Sequence, residues 1–280
     1  MEKLVKLDWS VRTEKLVTES GLPINKKIAV IREDTNTILG VNGDGYVPYQ
    51  NSELFELLST VSEKTGLVIH KEDYFQNGAK VYIQMKSNDL TLRNTNGVDD
   101  KIEGFITGIN TFDGTGMLGF GTSSVTISCL NKFFGAYRDI ETKVRHTKNM
   151  HVKIDAICRR VEMVLDEEKT MFNDIVKMSE TRLNPQIRDL VVRRLLDVDK
   201  TIDYTIKEAI STRKLNQINS LESDITNEMI EKGDNLWGLM SGITKYTTHH
   251  ISANDNSQEK LFGKYGEKER LIFNELVTLV

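Results

Sequence analysis

The sequence predicts an α+β protein in which an amino-terminal antiparallel β-sheet with one short helix precedes a mostly helical carboxy-terminal half. In the first half of the 280 residues, short β-rich runs alternate with glycine, asparagine and aspartate turns. In the second half, apolar residues recur at steps of three and four, which is typical of amphipathic helices. We expect a β-rich α+β core over 1–148 and a helical region over 149–280 that packs on this core as one unit.

The first predicted elements are two short strands. KIAVIR at Lys27–Arg32 and TILGV at Thr37–Val41 are rich in β-branched residues, and the turn-forming residues Asp34–Asn36 separate them. Gly43-Asp44-Gly45 provides a second turn directly after them. This pattern predicts a small β-meander.

A helix and a hairpin follow. Asn51 or Ser52 can cap a helix whose apolar residues have helical spacing, and Gly66 should end that helix. An Asn-Gly step then separates two β-rich runs, Leu67–Phe75 and Ala79–Met85. Because asparagine and glycine tolerate positive φ, such a step is a strong hairpin signal.

A glycine-dense segment lies between two further strand-like runs, Ile102–Phe112 and Ser124–Ser128. Gly114, Gly116 and Gly119 have the G-x-G-x-x-G spacing of dinucleotide-binding proteins. In those proteins a helix follows the motif and its free amides bind phosphate, whereas the residues after Gly119 favour a strand. We therefore interpret this segment as a glycine-rich β-turn or bulge.

From Cys129 onward the spacing of apolar residues becomes helical. Pro185 suits a first helical turn, and Gly233 suits a helix end. The predicted helices cover residues 129–140, Met150–Met178, a segment beginning at Pro185, Tyr204–Ile230, Asn235–Tyr246 and Glu267–Leu279.

Composition excludes several classes of protein. Only two cysteines occur, Cys129 and Cys158, so a disulfide framework has no support. No stretch approaches the roughly 20 apolar residues of a spanning helix, and no secretion signal is present. We therefore expect a cytoplasmic protein without membrane contact. No motif indicates a cofactor or a metal, and we expect neither.

One segment of the chain is basic although the net charge is −4. Between Lys132 and Arg160 the sequence has eight lysine and arginine residues and only three acids. Such a segment is typical either of an anion-binding surface or of a solvated helix face beside a loop, and the charge count alone leaves both interpretations open. The predicted nucleic-acid-binding residues are Lys132, Arg138, Lys143, Arg145, His146, Lys148, Lys153, Arg159 and Arg160. Further candidates for a site are Asn51, Asp113, Cys129, Asn131, Trp237 and His249.

Several short motifs occur in an order that resembles a known family. They include Leu39-Gly40-Val41, Tyr46-Val47-Pro48, Asp113-Gly114-Thr115, Cys129-Leu130-Asn131, Arg145-His146-Thr147 and Trp237-Gly238-Leu239. Together they resemble the phage/plasmid-like proteins grouped as domain of unknown function 932. The resemblance spans nearly the whole chain. It implies an accessory product of phages or plasmids, with no reaction attached to the family.

A mobile-DNA context favours single-stranded DNA as the partner. At a coarse level the order of elements is similar to phage recombination proteins of the Red-beta and RecT kind, which hold single strands in basic grooves as oligomers. Binding of this type needs cations for phosphates and aromatics for bases. Phe133, Phe134 and Tyr137 could provide the aromatics, although their spacing also suits a buried helix face. We expect a homo-oligomer that binds or anneals single strands.

Two other interpretations stay open. In an enzyme, Cys129 would be the nucleophile, His146 its base and Asn131 the group that orients the imidazole. A metal site at His146 with His249, or at Asp113, has weaker support because the spacing of ligands is incomplete. A non-catalytic protein-interaction module is the remaining alternative, since long amphipathic helices also serve association.

Overall fold

The computed structural model describes residues 6–93, 99–126, 131–133, 143–148, 161–206, 209–251 and 257–280. By their contacts these residues form two compact units. The first lies within Met1–Asn88, Phe105–Thr122 and Ala136–Glu167, and the second lies within Asp89–Gly104, Ser123–Gly135 and Glu168–Val280. The predicted boundary at residue 148 stays a prediction. The fold class is confirmed: antiparallel sheets dominate the amino-terminal part and helices the carboxy-terminal part.

Two sheets contain the nine strands of the described residues. In the first sheet the strand order is β1-β2-β3, and in the second it is β4-β5-β6-β7-β8, with β9 paired to β7. The strands are β1 Val11–Val17, β2 Pro23–Arg32, β3 Thr37–Gly43, β4 Val68–Phe75, β5 Lys80–Arg93, β6 Asp99–Thr111, β7 Leu118–Thr126, β8 Asn131–Phe133 and β9 Lys143–Val144.

The predicted β-meander is confirmed, with one strand more than expected. β2 and β3 pair antiparallel from Lys27 opposite Gly43 to Arg32 opposite Thr37, and a register shift interrupts the ladder after Val30. β1 adds to the other edge of β2. No apolar alternation marks β1 in the sequence, because its central residues are polar and exposed.

Helix α1, Asn51–Thr65, begins one or two residues earlier than predicted, since Asn51 or Ser52 was the expected cap. Its cap is Gln50, whose main-chain N–H donates to the Glu53 carboxylate at 2.7 Å in a capping box. Asn51 is not the cap: it is buried, and its Nδ2 donates to the carbonyl oxygen of Trp9 at 3.1 Å. The predicted end is confirmed, since Gly66 has φ 76° in the left-handed region.

The hairpin between β4 and β5 is also confirmed. Asn77 has φ 58° and Gly78 has φ 107°, so the Asn-Gly step occupies the positive-φ positions of the connection. β5 continues to Arg93, which is beyond the predicted end at Met85, and β6 begins at Asp99. Asp89–Arg93 is therefore part of a strand, although its residues are mostly polar.

The helix predicted to begin at Cys129 is wrong where the structure describes it. Asn131–Phe133 forms strand β8, paired antiparallel with Ser124–Thr126 of β7. Main-chain hydrogen bonds to a neighbouring strand outweigh the local helical spacing of the aromatics in this segment.

Seven helices lie in the described part of the chain. After α1 they are α2 Val161–Glu180, α3 Pro185–Leu196, α4 Thr212–Lys232, α5 Leu236–His249, α6 Ser257–Phe262 and α7 Lys264–Val277. Pro185 begins α3 and Gly233 ends α4, as predicted. The start of α4 differs, because Ser211 caps it through a hydrogen bond to the main-chain N–H of Lys214. None of these helices is long and apolar enough to cross a membrane.

The core of the first unit packs α1 against strands. Leu54 and Leu58 of α1 belong to one buried cluster with Val81, Ile83 and Ile106. Removal of this apolar surface from water supplies the main stabilisation of such a layer.

The core of the second unit contains buried charges as well as apolar side chains. Lys232 lies between two carboxylates, with its Nζ 3.2 Å from Asp100 Oδ2 and 3.1 Å from Glu228 Oε2. Trp237 donates its indole N–H to the same Asp100 oxygen at 3.2 Å. Lys245 contacts the second oxygen of Glu228 at 2.9 Å. Charges buried to this degree are tolerated only when paired.

A second buried ion pair joins α6 to α7. Lys260 Nζ lies 3.0 Å from the Glu269 carboxylate and also donates to the hydroxyls of Thr247 and Thr248. Burial raises the pKa of Glu269, and the ammonium group of Lys260 opposes that effect.

We expect Lys260→Met to lower the free energy of unfolding by about 3–5 kcal/mol, since it leaves the Glu269 carboxylate buried without its cation. Lys260→Met/Glu269→Leu should recover most of this loss because both charges are then removed. Chemical denaturation of the two variants measures the difference. A double variant as unstable as the single one would show that packing, and not the unpaired charge, sets the cost.

Candidate functional site

A pocket of about 470 Å³ lies in the first unit, where three short segments meet. The first segment is the end of β3 with the residues after it, the second precedes β7, and the third follows β9. Their lining residues are Asn42, Gly43, Gly45 and Tyr46, then Gly114, Gly116 and Met117, and finally Arg145, His146 and Thr147. Its volume is within the usual range of small-molecule sites.

One wall of the pocket depends on a close approach of two backbones. Asn42 of β3 donates its Nδ2 to the carbonyl oxygen of Phe112 at 2.9 Å. A Cβ on Gly40 would lie 2.5 Å from the Cα of Asp113, and one on Gly114, which has φ +74°, would overlap with Asn42 Oδ1. Glycine is therefore required at both positions. The glycine-rich turn predicted from the sequence is confirmed, and it packs against β3.

The Tyr46 ring forms part of a second wall. Its hydroxyl donates to the carbonyl oxygen of Thr111 at 2.7 Å, and its main-chain N–H donates to Gly43 at 2.9 Å. Burial, assisted by the negative charge of Asp113, raises the pKa of Tyr46 well above its usual value. Tyr46 is therefore a neutral phenol that is held in place from both ends.

His146 packs beside this tyrosine. The two ring centroids are 4.9 Å apart with an interplanar angle of 31°, and the carbonyl oxygen of His146 accepts from Val47 N–H at 3.2 Å. The residue is only 6% exposed, and neither ring nitrogen forms a hydrogen bond of normal geometry with a described residue, although the main chain of Val47 lies close enough to the ring to raise its pKa slightly. Burial lowers the pKa of His146 to about 4. The imidazole is therefore uncharged at neutral pH and adds no cation to the site.

The cations of this site are exposed. Burial alternates along the segment, because Val144 and His146 are buried whereas Arg145, Thr147 and Lys148 are exposed. Val144 pairs with Leu118 of β7, which fixes the start of this alternation. Neither Arg145 nor Lys148 forms an ion pair with any residue that the structure describes. Both charges are available to a ligand.

Asp113, at the start of the glycine turn, has several contacts. Its Oδ1 accepts from the main-chain N–H of Thr115 at 2.9 Å and from the Thr115 hydroxyl at 2.6 Å. Lys80 Nζ lies 3.6 Å from its other oxygen. The carboxylate thus stabilises the turn. Among the described residues, no group of three or more histidine, cysteine, aspartate or glutamate side chains could hold a metal.

The other predicted site residues occupy different places. Asn51 is buried on α1, Trp237 is buried in the second unit, and His249 is exposed at the end of α5. Asn131, Lys132 and Lys143 lie on strands, and their side chains are not described. Cys129, Arg138, Lys153, Arg159 and Arg160 lie outside the described residues, as do Phe134, Tyr137 and His151. Their predicted roles stay predictions.

Besides the four glycines, four lining residues were not predicted as site residues: Asn42, Tyr46, Met117 and Thr147. The signal that points to them is the pair of turns Gly43-Asp44-Gly45 and Gly114-Thr115-Gly116. Each was recognised as a turn, but their meeting in space depends on contacts between residues about 70 positions apart, such as Asn42 with Phe112.

Comparison with known proteins gives a family without an activity. Residues 38–263 match the profile described as Domain of unknown function (DUF932), and this range includes all of the lining residues. No curated protein and no solved structure matches the chain significantly.

We expect Gly114→Ala to destabilise the protein more than Gly21→Ala. Both glycines have positive φ, at +74° and +82°, but only the new methyl group at Gly114 meets another atom, Asn42 Oδ1. The backbone strain should cost about 1–2 kcal/mol in each variant, and the overlap should add about 1–3 kcal/mol at Gly114. Thermal and urea unfolding measure both. Equal losses would mean that the turn can move away from β3.

His146 should make stability depend on pH. Its pKa is about 4 in the folded protein and about 6.5 in the unfolded chain, so the unfolded chain binds a proton first as the pH falls. The free energy of unfolding should therefore decrease between pH 6.5 and pH 4. We expect the loss from pH 7 to pH 4 to be roughly 3 kcal/mol larger in the native protein than in His146→Phe. Parallel pH profiles would contradict a buried neutral imidazole.

Proposed function

The chain belongs to the DUF932 family, and we propose that it is a phage or plasmid accessory protein that binds single-stranded DNA, with annealing of strands as its biological role. The pocket that contains Arg145 is the proposed contact with the strand. Binding is non-catalytic in this proposal, and it requires neither metal nor cofactor.

The observation that carries the proposal is the exposure of Arg145 and Lys148 beside the pocket. Both side chains are exposed, and neither is neutralised by a described carboxylate. Strand affinity comes largely from cations that replace the counterions of phosphates. Arginine also offers a planar set of donors that matches two phosphate oxygens.

The glycine residues of the pocket support contact with a polymer backbone. Gly43, Gly45, Gly114 and Gly116 present main chain without side chains at the surface of the pocket. A sugar-phosphate chain can approach such a surface closely. The aromatic pair Tyr46 and His146 lies in the same pocket, and aromatic groups of this kind are what bases stack upon.

Self-association is part of the same proposal. The first sheet and the connection between its first two strands expose several apolar side chains: Val17, Leu22, Ile24, Ile38 and Val41. Ile38 and Val41 on β3 are 59% and 50% exposed. Apolar exposure of this kind favours contact with another protein surface. We propose a second copy of the chain as that partner, because annealing brings together two strands that are each bound by protein.

An enzyme that uses His146 as a general base is the second candidate. An uncharged imidazole at a pocket is the form in which histidine accepts a proton. The predicted nucleophile, Cys129, lies outside the described residues. Cys129→Ser would abolish an activity of this kind and leave strand binding intact, which separates the two candidates.

We expect Arg145→Glu/Lys148→Glu to weaken binding of a fluorescent single-stranded oligonucleotide about 10-fold or more at low salt, equivalent to about 1.4 kcal/mol. The slope of log affinity against log salt concentration should become shallower by about 1.4, since each lost phosphate contact contributes roughly 0.7. Fluorescence anisotropy over a salt series measures both quantities.

Lys15→Glu/Lys200→Glu is the matched control. Lys15 and Lys200 are also exposed, and the double change alters net charge by the same amount away from the pocket. It should leave affinity and salt slope nearly unchanged. Equal losses of affinity in the two double variants would show that net charge, and not the pocket, determines binding. No binding by the native protein at low salt would reject the proposed function.

A further inference from the structure

The pocket beside Arg145 has the polarity of a nucleotide-binding site. Arg145 gives it an exposed positive rim, whereas His146 and Tyr46 give it a neutral polar and aromatic interior. A nucleotide has the same division, with an anionic phosphate at one end and an uncharged, flat, hydrogen-bonding base at the other. A volume of about 470 Å³ is enough for one such unit.

We propose that the pocket holds one nucleotide of the bound strand, with its phosphate on Arg145 and its base inserted beside His146 and Tyr46. This inference rests on the proposed function and deepens it, because it specifies an unstacked base, and not only the sugar-phosphate backbone, as the group that is recognised.

The buried imidazole is the main argument for a base. Neither ring nitrogen of His146 forms a hydrogen bond of normal geometry with a described residue, the main chain of Val47 being the one group that approaches the ring among them, and the residue borders the pocket. Buried polar atoms without partners are rare, and each calls for an explanation. A neutral imidazole has one donor and one acceptor, and the hydrogen-bonding edge of a nucleobase offers both kinds of group.

A phosphate alone fits this interior poorly. A fully ionised phosphate only accepts hydrogen bonds, so it could pair the donor nitrogen of the imidazole but would face the lone pair of the other. The phosphate belongs at Arg145, where the charge is. The interior therefore selects an uncharged ligand group with mixed donors and acceptors.

The pocket can adjust to an inserted base. The His146 nitrogens lie below the surface, so insertion requires a small movement of the lining residues. Met117 lines the same pocket and is only half-buried. Its unbranched thioether side chain changes rotamer easily, and methionine packs well against flat ring systems.

The experiment compares two polymers of equal charge. A thymidine oligonucleotide and an abasic oligonucleotide of the same length share the backbone, and only the first can insert a base. We expect the native protein to bind the thymidine oligonucleotide at least 10-fold more tightly. His146→Phe, which keeps the ring next to Tyr46 but removes both nitrogens, should lose most of this preference and retain its affinity for the abasic strand.

His70→Phe is the matched control. His70 is an exposed histidine of the same unit that packs on Phe105 at 5.1 Å and does not line the pocket. Its replacement should leave the preference for bases unchanged. A thermal unfolding curve for each variant verifies folding, and Met117→Leu provides a second, milder change of the pocket that should alter the preference by a few-fold.

Nuclear magnetic resonance of the His146 imidazole tests base insertion directly. Thymidine 5′-monophosphate, thymidine and inorganic phosphate are titrated separately while the carbon-13 and proton resonances of His146 are followed. We expect the nucleotide and the nucleoside to shift these resonances and inorganic phosphate to leave them nearly unchanged.

The possible results separate the two proposals. Equal affinity for both oligonucleotides, with no response of His146 to thymidine, would overturn base insertion and leave strand binding standing. No binding of either oligonucleotide would overturn the proposed function, and a response of His146 to thymidine 5′-monophosphate would then still support a site for a free nucleotide. No binding of either oligonucleotide, together with no response of His146 to any of the three small ligands, would overturn both proposals.

Discussion

The close packing of β3 against the chain that leaves β6 is the constraint on which the pocket depends. Gly40 and Gly114 allow the two backbones to approach, and Asn42 connects them through the carbonyl oxygen of Phe112. Tyr46 adds a further link through Thr111. Since these contacts join residues of distant sequence position, the pocket exists only when the first unit is folded. The glycines are required because they allow this close packing. Their exposure of main chain to a ligand follows from that requirement.

Lys232 and Lys260 of the second unit differ from His146 of the first unit in how the cost of burial is compensated. In the second unit, Lys232 and Lys260 are each surrounded by carboxylates or hydroxyls, so the energetic cost of burial is offset by ion pairs. In the first unit, the His146 imidazole is buried as a neutral group and forms no hydrogen bond of normal geometry with a described residue. The first arrangement stabilises a core, whereas the second costs stability and is typical of a functional site.

The sequence predicts turns and helix ends correctly where a single residue type dictates the local conformation. Asn77-Gly78, Pro185 and Gly233 were placed correctly because positive φ or a missing N–H restricts which elements can contain them. The prediction failed at Asn131–Phe133 and at Val11–Val17, because pairing with another strand determines these segments and no local pattern encodes it. The glycine turn and the basic segment were recognised separately, but their meeting at one pocket depends on tertiary contacts.

The chain has two tryptophans, one in each unit, and each can be used as an intrinsic fluorescence probe of its unit. Trp9 is buried in the first unit beneath the guanidinium group of Arg32, 4.3 Å from its ring, and Trp237 is buried in the second unit beside Asp100. Since both are shielded from solvent, loss of either environment will shift fluorescence emission to longer wavelength. Versions of the protein that retain one tryptophan can thus reveal whether the units melt together or in sequence.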